Sequence, residues 1–145
     1  MASKLSFKLI NIIILLIPII CQNIINLDED NYDNEIEASK DFWVIEFYSE
    51  KCESCRKFDS MWKILVKKID YLKIGRINID EPKGMALANK LNALENGIPA
   101  IKLIYKNEVN ENIMTGDEDP FPRVKVLKKR IDEILKSKGK LEEDL

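Results

Sequence analysis

A chain of 145 residues, 46% hydrophobic and 33% charged, has the size and apolar content to close one hydrophobic core, and too much of that content to stay disordered. Its 23 Lys and Arg against 25 Asp and Glu leave a formal charge of −2 with the lysines dispersed among acids, so no field favours nucleic acid. With no histidine and only three cysteines, at 21, 52 and 55, it lacks imidazole acid–base chemistry, imidazole metal ligands and a four-thiolate zinc site; no metal or cofactor is expected, and a functional cysteine pair fits the count.

Lys4 and Lys8 precede an apolar run from Leu9 to Ile20, broken by Asn11 and Pro18, and the first acid is Asp28. That layout predicts a signal peptide over residues 1–21, with the domain in 22–145. The run falls short of the roughly 20 residues that cross a bilayer, so no stable span is expected after cleavage. An uncleaved anchor and a buried core helix are the alternatives; the second would need a polar face that Ile12 to Ile17 does not offer. Cleavage after Cys21 would remove the odd cysteine and two lysines, taking the charge from −2 to −4. It would also deliver the remaining thiols to a compartment where disulfides persist.

Ile24 to Leu27 reads as a short strand, and the six acids without a base from Asp28 to Glu37 read as a solvated surface. Phe42 to Tyr48 is apolar at every position but Glu46, the pattern of a central strand covered on both faces. From Cys52 the period changes: Phe58, Met61, Trp62, Leu65, Val66 and Ile69 follow helical spacing, so the two cysteines open a helix. Ile74 to Ile79 alternates as a strand, and Asp80-Glu81-Pro82 starts a short helix through Met85, Ala88 and Leu91. After a loop at Asn96-Gly97, Ala100 to Tyr105 and Val109 to Met114 flank Lys106-Asn107-Glu108 as a hairpin. Val124, Leu127, Ile131, Ile134 and Leu135 form the apolar stripe of a closing helix whose wet faces carry Lys128, Lys129, Arg130 and Lys136. The order β-α-β-α-β-α-β-β-α predicts an α/β fold, a central mixed sheet flanked by helices on both faces.

Unpaired N–H groups and the macrodipole at a helix N-terminus favour a thiolate, which makes Cys52 the expected nucleophile. Cys55, one turn on, would resolve a mixed disulfide by attacking Cys52. A structural disulfide or an inert pair is the bland alternative, weakened by how little so small a loop stabilises. Glu53 beside Cys52 opposes a thiolate, while Lys51, Arg56 and Lys57 partly offset it; with Ser54 these residues should tune the couple. Phe47, Tyr48, Trp43 and Trp62 read as core.

The strand, Cys52-Glu53-Ser54-Cys55 at a helix start, a second βα unit, Gly97-Ile98-Pro99 before a hairpin and a final helix together resemble the thioredoxin superfamily over roughly residues 24–138. Leu27 with Asp30-Asn31-Tyr32, and Val44-Ile45-Glu46-Phe47-Tyr48 before the cysteines, resemble the catalytic domains of protein disulfide isomerases more than cytosolic thioredoxins. The resemblance implies a thioredoxin fold and a thiol–disulfide oxidoreductase, with Cys52 and Cys55 as the redox pair. It implies that Glu46 lies beneath that pair and exchanges protons with Cys55, the alternative being an edge residue facing water. It implies a cis bond before Pro99, with the Ile98 backbone pairing with an extended substrate chain. Protein thiols or disulfides as substrates, a redox-recycling partner, and the endoplasmic reticulum lumen or secretion as location follow from it. The terminal Glu142-Glu143-Asp144-Leu145 resembles a luminal retrieval signal without its glutamate next to the last leucine.

The departures are equally specific. Lys51 stands for the usual aromatic, Glu53-Ser54 for Gly-His or Gly-Pro, and Ala100 for the threonine after the proline. Asp117-Glu118-Asp119 replaces an expected arginine, with Arg123 only a distant substitute. A less oxidising, more reductase-like couple is therefore expected. A redox-weak binding or chaperone module, including a subunit of a secretory or translocation complex, is the alternative function.

Overall fold

Trp43–Tyr48 (β2) lies at the centre of a five-stranded sheet because it can bury side chains on both faces, and every residue of it but the last is buried. The computed structural model describes residues 23–139; the segment 1–21 expected to be a signal peptide, with Cys21, and the Glu142–Leu145 terminus lie outside the described residues. The other elements are β1 (Ile24–Asn26), α1 (Glu53–Lys68), β3 (Lys73–Asn78), α2 (Pro82–Lys90), β4 (Ala100–Tyr105), β5 (Val109–Met114) and α3 (Val124–Ser137). Strand order is β1-β3-β2-β4-β5. β3 runs parallel to both β1 and β2, while β4 pairs antiparallel with β2 and with β5, giving the mixed sheet that the element order predicts.

Alternation along β2 sends Val44 to one core and Ile45 and Phe47 to the other. On the first face, Phe58, Trp62 and Leu65 of α1 and Leu127, Ile131 and Leu135 of α3 close over Val44, Ile74 and Leu103. On the second, Leu87 and Ala88 of α2 cover Ile45, Phe47 and Ile77. Gly84 permits that approach, since a Cβ there would lie 2.0 Å from the Asn78 carbonyl oxygen.

Two surface expectations change. The acidic run is not simply solvated: Asp33–Glu37 forms a π-helical turn, and Tyr32 and Ile36 reach the second core at 3% and 0% exposure. One of the acids, Asp28, holds the bend that precedes this turn, its Oδ1 accepting the N–H groups of Asp30 (2.9 Å) and Asn31 (3.3 Å). Arg130 is no free charge on a wet helix face either. Its guanidinium grips both carboxylate oxygens of Glu118 at 3.0 Å and donates to the Ile113 carbonyl at 2.8 Å.

Candidate active site

Parallel strands β2 and β3 end on the same edge of the sheet, where an open α/β sheet gathers its functional loops. The loop leaving β2 carries Ser49 to Lys51 into Cys52, and the loop leaving β3 carries Asp80. Antiparallel β4 starts at that edge, so Ile98 and Pro99 arrive beside the cysteines.

Cys52 caps α1. Its backbone is extended (φ −82, ψ 118), and its sulfur accepts the Cys55 N–H at 3.1 Å, which answers one of the unpaired donors of the first turn. The Cys52 thiol also reaches the Ile98 carbonyl oxygen at 3.9 Å. Both cysteines are free thiols, Cys52 half-buried and Cys55 buried. Burial first, then the hydrogen bond with Cys52, push the Cys55 thiol up to about 12, while a hydrogen bond from the Ser49 backbone pulls the other way. One thiol is accessible and the other is held protonated behind it.

Glu46 sits opposite Arg76 in the β2–β3 register and shows no exposed surface. Arg76 Nε donates to Glu46 Oε2 at 2.6 Å, while Glu46 Oε1 is buried without a hydrogen-bond partner among the described residues. Desolvation outweighs the guanidinium, and the carboxyl is pushed up to about 7. Its charge acts on Cys55 in turn. Arg76 also lies over the Tyr48 ring at 4.0 Å from the centroid and within 3.8 Å of Asp59. An open cleft of ≈ 410 Å³ is lined by Cys55, Arg76, Asp59 and Tyr48. Tyr48 thus belongs to the site as well as to the sheet, whereas Trp43, Phe47 and Trp62 are core.

The Ile98–Pro99 peptide is cis, and Gly97 before it has φ +80. Gly116 of the loop after β5 presses on this segment so closely that a Cβ would lie 2.3 Å from the Gly97 carbonyl carbon and 2.4 Å from the Ile98 nitrogen. Of the residues expected to tune the motif, Lys51, Glu53, Ser54, Arg56 and Lys57 are all exposed. Lys57 pairs with Glu53 at 2.7 Å and holds that carboxyl below its ordinary range; Arg56 turns away to the Glu50 carbonyl at 3.0 Å. Among the described residues, no group of three or more Cys, Asp or Glu is arranged to hold a metal, and no helix is long and apolar enough to cross a membrane.

Sequence reasoning missed Arg76, Asp59 and the contact of Ser49 with Asp80. Arg76 carried a signal, a cation inside a strand adjoining one with a lone acid, but only the register made it a pair.

The family model described as Thioredoxin matches residues 23–132. A putative protein disulfide-isomerase of Dictyostelium discoideum is 30% identical over 112 residues, covering 69% of this chain and 26% of its own length. Protein disulfide isomerase-like 2-3 of Oryza sativa subsp. japonica is 28% identical over 99 residues, 68% of this chain and 20% of its own. Human protein disulfide-isomerase A6 is 26% identical over 90 residues, 60% and 20% respectively. The chain therefore spans about a quarter or less of these relatives. The J-Trx1 fragment of ERdj5 superposes with TM-score 0.62 at 18% identity, over 77% of this chain and 50% of that one, and shares the fold.

Proposed function

The chain belongs to the thioredoxin family, and on that premise we propose that it is a thiol–disulfide oxidoreductase of the disulfide isomerase or reductase kind, acting on proteins of the secretory pathway through Cys52 and Cys55. The observation that carries this reading is the accessible Cys52 sulfur at the start of α1, 3.1 Å from the Cys55 nitrogen, with the Cys55 thiol buried behind it.

In the reducing direction, the Cys52 thiolate attacks one sulfur of a client disulfide. The client S–S bond breaks, one client sulfur leaves and takes up a proton, and the other stays joined to Cys52. Glu46 accepts the Cys55 proton, and the Cys55 sulfur attacks Cys52 Sγ, closing the Cys52–Cys55 disulfide and freeing the second client thiol. The client gains two electrons and two protons, and a separate redox partner must return them to the pair. Oxidation runs in reverse. Pro99 leaves the Ile98 backbone free to pair with an extended client segment beside Cys52. Glu53 and Ser54, in place of a neutral and an imidazole side chain, argue for a couple more reducing than that of typical disulfide isomerases. The apolar start of the chain, preceded by Lys4 and Lys8, supports the secretory location.

Insulin reduction tests the activity, with Cys55→Ala as a trap for mixed disulfides. Turnover together with trapped secretory clients supports the enzyme. Absence of both returns the chain to a binding or chaperone module. A reduction potential at or above that of typical disulfide isomerases would rule out the reductase bias.

A further inference from the structure

The loop between β2 and Cys52 is fastened by a carboxylate from the other side of the site. Asp80 Oδ1 accepts the Ser49 hydroxyl at 2.8 Å, and Asp80 Oδ2 accepts the Glu50 N–H at 2.8 Å. Ser49, only 7% exposed, hands the restraint forward: its Oγ accepts the Lys51 N–H at 3.0 Å and its carbonyl accepts the Cys52 N–H at 3.3 Å. Its backbone also bonds the Cys55 thiol. Asp80 is itself oriented by its N–H donating to Asn78 Oδ1 at 2.9 Å. The Ser49 hydrogen bond is the first of the causes that hold the Asp80 carboxyl below its ordinary range, as a charge-assisted bond should.

We propose that Ser49 and Asp80 form a latch that sets the dithiol–disulfide balance of Cys52 and Cys55, which makes both of them positioning residues; the inference rests on the thiol–disulfide reading above. In the latched dithiol, Cys52 Sγ accepts the Cys55 N–H. To form a disulfide it must close to about 2 Å from Cys55 Sγ, and the latch acts on the share of that closure that the Ser49–Cys52 backbone carries. A fastened segment resists that shift, so the latch favours the reduced pair. A couple whose reduced form is stabilised is the more oxidising one. The latch therefore acts against the reducing bias of Glu53.

The test equilibrates the full chain, with Cys21→Ser in every sample, against glutathione buffers. Each glutathione disulfide takes two electrons and two protons from the dithiol and becomes two glutathione thiols. Ser49→Ala should raise the equilibrium constant for disulfide formation about tenfold, equivalent to ~30 mV more reducing. Asp80→Asn should move it the same way, and Ser49→Thr, which keeps the hydroxyl, should stay within about twofold of the parent. Melting of both redox forms separates this from a general loss of stability. If Ser49→Ala lowers both melts equally and leaves the constant within about twofold, or shifts it the other way, the latch has no redox role. A parent protein that equilibrates with glutathione and shows the Ser49→Ala shift, yet turns over no client disulfide, would sustain the latch and defeat the proposed enzyme. One that never forms the disulfide would overturn both.

Discussion

A carboxylate without exposed surface, with one oxygen on a guanidinium and the other unpartnered, has the geometry of the proposed proton acceptor. Glu46 has its carboxyl pushed up to about 7 and acts electrostatically on Cys55. As the proposed base for Cys55 it would work when ionised, so resolution of a mixed disulfide should speed up as pH rises through about 7. Glu46→Ala should remove that inflection and slow resolution on the order of 100-fold, the low end for a positioned base. Single-turnover release from a preformed mixed disulfide, followed across neutral pH, checks it; a profile unchanged by the substitution would end the assignment. Arg76 opposes burial by holding Glu46 Oε2 at 2.6 Å. Arg76→Met should therefore drive the inflection upward. It should also cost about 3 kcal/mol of stability wherever Glu46 must ionise unpaired, read by urea unfolding above neutral pH.

At the scale of elements, the loop after β5 presses on Gly97 and Ile98, where the proposed client groove would lie, because Gly116 has no side chain. Gly116→Ala would set a methyl carbon 2.4 Å from the Ile98 nitrogen, closer than packed atoms tolerate, and the rigid backbone behind it cannot yield cheaply. The expected outcome is a loss of about 1 to 3 kcal/mol in unfolding free energy and a rise in KM for insulin larger than the fall in kcat. An equal loss in both constants would point to a role outside the groove. The glycine was visible in the sequence, but its reason was not, since the clash involves a loop 19 residues earlier. The helices and strands were more legible. The stripe Phe58, Trp62, Leu65 announced α1, and the near-continuous apolar run announced β2, because local period and composition decide both. Pairing was not legible: nothing local tells a reader that Glu46 faces Arg76 thirty residues on, or that Asp80 reaches back to Ser49. Tyr32 and Ile36 were hidden for a related reason, two core residues set among six acids.

For the whole molecule, the groups with shifted titration set where the fold is most stable. Glu46 rises from 4.5 to about 7, so the folded chain binds a proton more tightly than the unfolded one. Its contribution is complete below 4.5 and is lost as pH climbs through about 7, a fall of about 3 kcal/mol over that window. Asp132, pulled down mainly by the hydrogen bond from Lys128 against the burial that opposes it, works the other way: its contribution is present above 3.8 and fades as acid protonates it. Tyr32 and Tyr71, both pushed up to about 12 chiefly by burial, add a loss only as pH rises beyond 10. The Cys55 thiol, raised from 9.0 to about 12, is protonated in both folded and unfolded chains near neutrality and contributes no slope there. The reduced protein should accordingly be most stable on the acid side of neutrality, not at pH 7 to 8. Urea unfolding from pH 4.5 to 8 reads this directly as a declining free energy. In Glu46→Gln, which cannot titrate, the decline should flatten; if the slope persists there, another group carries it and the link between the buried carboxyl and the working pH of the dithiol is broken.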